Sequence, residues 1–130
     1  MLSPHEQGEQ AQAAMKRGDV EGAIGWWRKA VAQAAATHDR EAMGYALLNI
    51  AMASTQLGSF GPAEAAFTEA AETGHPDIVP KAFTGLAILY KGLGRIPDAR
   101  RCYEQVLASG DPKLLPQARQ GLAELDRTGE

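Results

Sequence analysis

Residues 73–82 of the chain read TGHPDIVPKA, and residues 109–118 read SGDPKLLPQA. The second stretch lies 36 residues after the first, and the glycine, both prolines and the final alanine coincide. The agreement continues into the triplet GLA at residues 85–87 and 121–123. Because self-similarity at a fixed period of this size is the signature of repeat architectures, these stretches predict a repeat protein.

A pattern of four residues occurs three times in the chain. It consists of a glycine, an alanine five positions later, an aromatic residue four further on, and a small apolar residue three beyond that. The three sets are Gly18, Ala23, Trp27 and Ala30; Gly58, Ala63, Phe67 and Ala70; and Gly94, Ala99, Tyr103 and Val106. The sets lie 40 and 36 residues apart, so about one extra helical turn follows the first glycine turn.

Composition and periodicity both indicate helices. The 130 residues include 24 alanines, the best helix former, and apolar residues recur at spacings of three and four, as in Leu86, Leu89, Tyr90 and Leu93. A glycine turn ends the first helix of each copy, and the alanine lets the second helix approach closely beside the aromatic residue. The predicted helices are 4–17, 20–37, 40–57, 61–73, 78–93, 97–109 and 114–127.

Several residues mark the predicted helix starts. Ser3 and Glu6 have the spacing of a capping box around Pro4, and Asp39 is a predicted N-cap. Pro62 and Pro97 fall in predicted first turns, where a missing N–H does no harm. With a polar last helix, the capping box predicts a self-contained unit.

Composition excludes several classes of protein. The net charge is −3, so the chain lacks the excess of basic residues that is typical of nucleic-acid-binding proteins. No apolar run approaches the roughly 20 residues that span a bilayer. The first residues do not resemble a signal peptide. Cys102 is the one cysteine, so no intrachain disulfide or CxxC motif exists. We expect a cytoplasmic protein without cofactor or metal, and the richness in alanine and arginine is typical of bacterial chains.

The glycine, alanine and aromatic pattern, with Leu-Ala and Ile-Ala pairs in the preceding helix, resembles the tetratricopeptide repeat. A Sel1-like repeat is the alternative, suggested by residues 26–30 and 70–74. The spacing departs from the usual 34 residues, and Ala11, Ala51 and Ala87 stand where the family often has glycine. The resemblance implies an all-α, right-handed superhelical solenoid of three antiparallel helix pairs plus a C-terminal capping helix. Its single domain, 1–130, would divide into repeats at about 4–39, 44–79 and 80–115 and a capping helix at about 116–128.

The resemblance also implies a binding surface. In this family the first helix of each pair lines a concave face, and such faces bind extended peptides or partner helices. The predicted peptide-binding residues are Gln12, Tyr45, Leu48, Asn49, Met52, Lys81, Thr84, Ile88 and Lys91, with His5, Met15 and Thr55 on the same face. Some relatives grip a carboxylate with a clamp; Asn49 and Lys81 match two of its positions, whereas Gly8, Gln12 and Gly85 occupy the others.

Other notable residues have structural explanations. Trp27, Phe67 and Tyr103 are predicted core residues. Trp26 is expected on the outer face, where it packs against the long second helix or contacts a partner. Cys102 is expected to be buried and inert, and the three histidines lack metal-ligand spacing. The acidic residues Glu64, Glu69 and Glu72, and the basic residues Arg95, Arg100 and Arg101, are expected to form solvated faces or to pair neighbouring hairpins or two molecules.

These observations favour a protein–protein interaction module, an adaptor or scaffold that holds a peptide or helix of a partner protein in its concave groove. The alternative is a structural repeat protein that forms homo-oligomers through its ends or outer face. An enzyme is disfavoured because phosphate loops, GxSxG and paired catalytic acids are absent from the sequence. The expected partner is a protein or peptide, and neither nucleic acid nor a membrane.

Overall fold

Residues 1–127 are described by a computed structural model, and they contain seven helices and no strand. The helices are α1 Pro4–Lys16, α2 Val20–Ala36, α3 Arg40–Gln56, α4 Phe60–Glu72, α5 Val79–Gly92, α6 Ile96–Ser109 and α7 Leu115–Arg127. Each predicted helix is therefore confirmed, with ends that differ by one residue at most. Residue 128 of the predicted capping helix, and 128–130 of the predicted domain, lie outside the described residues.

The predicted starting signals act as expected. The Ser3 hydroxyl accepts a hydrogen bond from the backbone N–H of Glu6 at 3.1 Å, and the Glu6 carboxylate accepts one from the N–H of Ser3 at 2.9 Å. Asp39 caps α3 by accepting from the N–H of Ala42 at 3.0 Å. Asp19, which the sequence analysis did not single out, caps α2 in the same way. These bonds satisfy N–H groups that have no partner inside the helix.

The extra turn predicted for the first copy lies in the second helix of that copy. Helix α2 has 17 residues, whereas α4 has 13, a difference of about one turn. The residue after α2 that reverses the chain is His38, in the left-handed region with φ of 58°. Glycines with φ of 69° and 71°, Gly74 and Gly110, stand 36 and 72 residues later at the other inter-repeat turns. A side chain is strained in this conformation, so the first inter-repeat turn is less favourable than the other two.

Consecutive helices pack against one another along the chain, and α3 also contacts both α1 and α5. The alanines of the repeated pattern, Ala23, Ala63 and Ala99, are fully buried. The three aromatic residues of the pattern are confirmed as core residues, because Trp27, Phe67 and Tyr103 are at most 6% exposed. The arrangement is a helical solenoid of the tetratricopeptide type, in which each helix pair buries its apolar face against its neighbours.

Two glycines show how successive repeats fit together. A Cβ atom on Gly85 would lie 2.3 Å from the Phe67 ring, and one on Gly121 would lie 2.2 Å from the Tyr103 ring. The aromatic side chains of α4 and α6 therefore pack directly on the backbones of α5 and α7. Any larger residue at either glycine would displace the ring.

Two further findings concern the described residues. Among the helices within residues 1–127, each falls short of the length and apolarity needed to cross a bilayer. The same residues contain no cluster of three or more His, Cys, Asp or Glu side chains that could hold a metal ion.

Candidate functional site

Two open grooves lie side by side along the surface that α1, α3 and α5 form together. The first groove runs between α1 and α3 and has a volume of about 360 Å³. The second groove runs between α3 and α5 and has a volume of about 590 Å³. The first groove is lined by Pro4, His5, Gly8, Glu9, Gln12, Trp27, Ala30, Ala42, Tyr45, Ala46 and Asn49. The second groove is lined by Leu48, Met52, Thr55, Phe60, Phe67, Lys81, Thr84, Gly85, Ile88, Leu89, Gly92 and Leu93.

A pair of side chains marks the boundary between the grooves. Tyr45 lines the first groove and Lys81 lines the second. The Lys81 ammonium donates a hydrogen bond to the Tyr45 hydroxyl over 3.2 Å and lies 5.0 Å from the centre of its ring. Both side chains are exposed, so the ammonium keeps donors for a further anionic partner.

The second groove presents large apolar side chains to solvent. The exposed fraction is 56% for Met52, 52% for Ile88, and 42% for both Phe60 and Leu93. Phe67 forms the floor, where it rests on Gly85. Large exposed side chains are individually ordinary, but several around one concave surface mark an interaction site.

The polar groups of the second groove are few and mostly engaged. The Thr84 hydroxyl donates to the carbonyl of Pro80 at 2.8 Å, and the Thr55 hydroxyl donates to the carbonyl of Ala51 at 2.8 Å. Both hydroxyls thus bond to their own helices. Lys81 is the single charged residue among those lining this groove.

The first groove is richer in free polar groups. Asn49 and Gln12 line it, and neither side chain makes a hydrogen bond to another of residues 1–127. An amide group offers both donors and an acceptor to a ligand backbone. His5 and Glu9 lie at its rim, with 3.8 Å between imidazole and carboxylate.

The nine predicted site residues are distributed over both grooves and their margin. Gln12, Tyr45 and Asn49 line the first groove, and five others line the second; these five are Leu48, Met52, Lys81, Thr84 and Ile88. Leu48 and Thr84 are 7% and 8% exposed, so they form walls more than contact points. Lys91 lines neither groove, and its ammonium is hydrogen-bonded to the Glu124 carboxylate of α7.

The clamp positions do not come together in one groove. Gly8, Gln12 and Asn49 line the first groove, whereas Lys81 and Gly85 line the second. Gly85 serves the packing of Phe67 and has no side chain to offer a carboxylate.

Two groove residues, Phe60 and Leu93, were missed from the sequence. The family pattern assigned the concave face to first helices alone, but Phe60 begins the second helix α4 and Leu93 follows the last residue of α5. The signal that would find them is an apolar residue beside a glycine turn, since Phe60 lies two residues after Gly58 and Leu93 directly precedes Gly94.

A polar network behind the second groove fixes α4 against α5 and α6. The Tyr90 hydroxyl donates to the Glu64 carboxylate at 2.5 Å, and the Arg95 guanidinium lies 4.4 Å from the centre of the Tyr90 ring. Arg95 also pairs with Glu64 at 3.4 Å and with Asp98 at 2.9 Å. Burial, and then the bond to Glu64, raise the pKa of Tyr90 to about 12. Of the two alternatives given for these charged residues, pairing between neighbouring hairpins is therefore confirmed for Glu64 and Arg95.

Two of the other shifted pKa values concern residues discussed above, Glu124 as the partner of Lys91 and Cys102. The hydrogen bond from Lys91 lowers the pKa of Glu124, which strengthens the link between α5 and the last helix. Burial raises the pKa of the Cys102 thiol, which disfavours the nucleophilic thiolate. The expectation that Cys102 is buried is confirmed, and its inertness stays a prediction.

Helix pairs stacked side by side, with grooves along one surface, define an α-helical repeat protein. Residues 81–109 match the family model of the tetratricopeptide repeat, and this segment contains most of α5 and all of α6. The match supports a helical repeat of the tetratricopeptide type in that segment, which lies within the predicted third repeat, 80–115. No curated protein matches the chain significantly.

Proposed function

We propose that the protein is an adaptor or scaffold that holds a segment of a partner protein on the surface formed by the two grooves. The observation that carries this proposal is the second groove, where Met52, Phe60, Ile88 and Leu93 are each at least 42% exposed around one concavity. Covering these side chains with a partner would remove apolar area from water, the main driving force of association. The family match agrees, since tetratricopeptide repeats are protein-interaction modules.

The predicted site residues have unequal roles in this proposal. Met52 and Ile88 are the contact points, Leu48 and Thr84 shape the walls, and Asn49 offers an amide from the first groove. No catalytic step, cofactor or metal is part of the proposal. The cytoplasm stays the predicted compartment, and that prediction rests on the sequence alone.

Ile88→Glu is the variant that tests the proposed surface. Ile88 is half exposed, so the substitution places a charge in the groove and leaves the core intact, whereas buried Leu48 would endanger folding. Leu57→Glu is the matched control, because Leu57 is 43% exposed and lines neither groove.

The experiment compares proteins captured from native lysate by the wild type and both variants, each checked for helicity by circular dichroism. The captured partner is then purified and titrated calorimetrically. We expect binding to the wild type and Leu57→Glu and a loss of at least about tenfold with Ile88→Glu, because an unpaired charge is costly in an apolar contact. Equal affinity for all three proteins contradicts the proposed surface.

Self-assembly is the second candidate, and the exposed apolar groove is the observation that favours it. A second copy of the chain could cover the same side chains. The ends are less suited to this role, since α1 and α7 present charged residues such as Glu9, Lys16, Arg119 and Asp126 to solvent. Solution mass over a hundredfold range of concentration separates the candidates; a dimer that Ile88→Glu converts to a monomer favours self-assembly.

A further inference from the structure

The second groove contains an apolar surface that is long enough to seat a short secondary structure element. Helix α5 and the residue that follows it, Leu93, contribute one wall, which begins at Lys81. Twelve steps of about 1.5 Å give this wall a length of about 18 Å. That length matches about three turns of a helix, or an extended segment of about five residues.

The two kinds of occupant differ in what their backbones require. Each residue of an extended segment brings an N–H and a C=O that lose water in a groove and need new partners. A helix satisfies these groups internally, apart from those at its ends. The polar side chains of the groove therefore decide which occupant is accepted.

The second groove has few groups to offer an extended backbone. Its two threonine hydroxyls donate to their own helices, Thr55 to Ala51 and Thr84 to Pro80. The remaining lining side chains, apart from Lys81, are apolar, and the groove has no amide comparable to Asn49 of the first groove. An extended segment would leave most of its backbone groups unsatisfied, at a cost for each group.

The charge of the groove defines the polarity of the occupant. Lys81 lies at one end of the apolar wall, and no acidic residue lines the groove. An acidic side chain at the corresponding end of the occupant would complement this ammonium, and Tyr45 already holds it in place.

We propose that the second groove binds an amphipathic helix of a partner protein, about three turns long, with an apolar stripe and an acidic residue at the end nearest Lys81. The stripe occupies the space between Met52 and Ile88 and extends toward Phe60 and Leu93. This inference rests on the proposed function, which it sharpens from a partner segment of any conformation to a helix.

The test uses two peptide libraries displayed on phage and selected on the wild-type protein. Both contain peptides of about 14 residues with Leu, Ile, Met or Phe at positions 2, 5, 9 and 12, and Asp or Glu at one end. The first library fills other positions with Ala, Gln, Glu and Lys. The second has proline at two central positions, which prevents a helix and leaves an extended segment possible.

We expect enrichment from the first library alone. Synthetic peptides from it should lose at least about tenfold in affinity with Ile88→Glu and retain affinity for Leu57→Glu, because only the former places a charge in the groove. Lys81→Gln should weaken binding by about two- to fivefold, as expected for an exposed ion pair. Lys113→Gln, a change at an exposed lysine outside both grooves, should have no effect. The bound peptide should gain helicity by circular dichroism.

Other outcomes separate the inference from the proposed function. Enrichment of proline-containing peptides that depend on Ile88 would overturn the helix and leave the proposed binding surface intact. Equal affinities for the wild type and Ile88→Glu would overturn the assignment of the helix to this groove. If neither library yields peptides that depend on Ile88, the inference is wrong and the proposed function loses its main support.

Discussion

The first and second grooves occupy equivalent places in successive repeats, yet their chemistry differs. Ile88, Met52 and Gln12 occupy the same position in the third, second and first repeats, at separations of 36 and 40 residues. This position is apolar in the third and second repeats and polar in the first. The same shift of 36 relates Gly85 to Asn49. The glycine lets Phe67 form an apolar floor, whereas Asn49 contributes an amide group to the first groove.

The comparison shows that the repeat determines the position of a residue in the fold, whereas the residue type at that position can differ from copy to copy. Tyr45 and Lys81 are also 36 residues apart, and their side chains meet at the boundary between the grooves. Equivalent positions in adjacent repeats thus become neighbours in space. A difference between copies at exposed positions such as these therefore changes the surface locally.

The largest expected effect comes from removing the floor of the second groove. Phe67→Ala should lower the free energy of unfolding by about 3–5 kcal/mol, because the ring is 6% exposed and its loss leaves a cavity over Gly85. Met52→Ala, at a position 56% exposed in the same groove, should cost less than about 1 kcal/mol. Urea unfolding followed by circular dichroism measures both. Similar losses for the two variants would show that Phe67 does not stabilise the packing of α4 on α5.

The next effect tests the difference between Gly85 and Asn49. Gly85→Ala should destabilise by about 1–3 kcal/mol, since its methyl group would lie 2.3 Å from the Phe67 ring. Gly25→Ala is the control: Gly25 lies within α2, and a Cβ there meets nothing within 4 Å. That variant should gain up to about 1 kcal/mol from helix propensity. If Gly85→Ala is also stabilising in thermal unfolding, the ring is not confined by the glycine.

A smaller effect is expected at the first inter-repeat turn. His38→Gly should raise the free energy of unfolding by up to about 1 kcal/mol, because His38 has a φ of 58° where the later turns have glycine. The melting temperature measures the change. Gly74→His places the same strain in the second turn and should lower stability by a similar amount. A loss of stability with His38→Gly, or a gain with Gly74→His, would contradict the explanation.

The last effect appears only at high pH and concerns the polar network that joins α4 to α5 and α6. Burial and the bond to Glu64 raise the pKa of Tyr90 from 10.0 to about 12. A raised pKa means that the folded state favours the neutral phenol, so this contribution to stability is complete below pH 10 and is lost as the pH rises toward 12. Phenolate absorbance should show a last titration step that Tyr90→Phe removes. A Tyr90 phenolate already formed at pH 10 would contradict both the burial of its hydroxyl and its bond to Glu64.

The helical framework was predictable because its signals are local. The capping box at Ser3, the N-cap Asp39 and the glycine turns each determine a helix end through backbone hydrogen bonds or φ angles near that residue. The aromatic core residues followed from their repeated spacing, and burial of Trp27, Phe67 and Tyr103 confirmed them.

The candidate site was less predictable because it depends on contacts between distant residues. Lys91 matches the family's concave positions, but its engagement with Glu124 comes from a helix 33 residues away. Phe60 belongs to a second helix, and only the packing of α4 brings it to the groove. The sequence alone does not show why residue 85 is a glycine, because the explanation is the position of the Phe67 ring against its backbone.

The contact between an aromatic ring and a glycine has a consequence for where an additional repeat can be inserted into such a chain. The same contact occurs twice, 36 residues apart, as Phe67 packed on Gly85 and as Tyr103 packed on Gly121. A duplicated 36-residue unit inserted between them would meet a matching surface on each side. The junction at Trp27, with its longer α2 and with Asn49 in place of glycine, provides no such match. We therefore expect tandem duplication of the segment between Phe67 and Tyr103 to be tolerated better than duplication at the Trp27 junction.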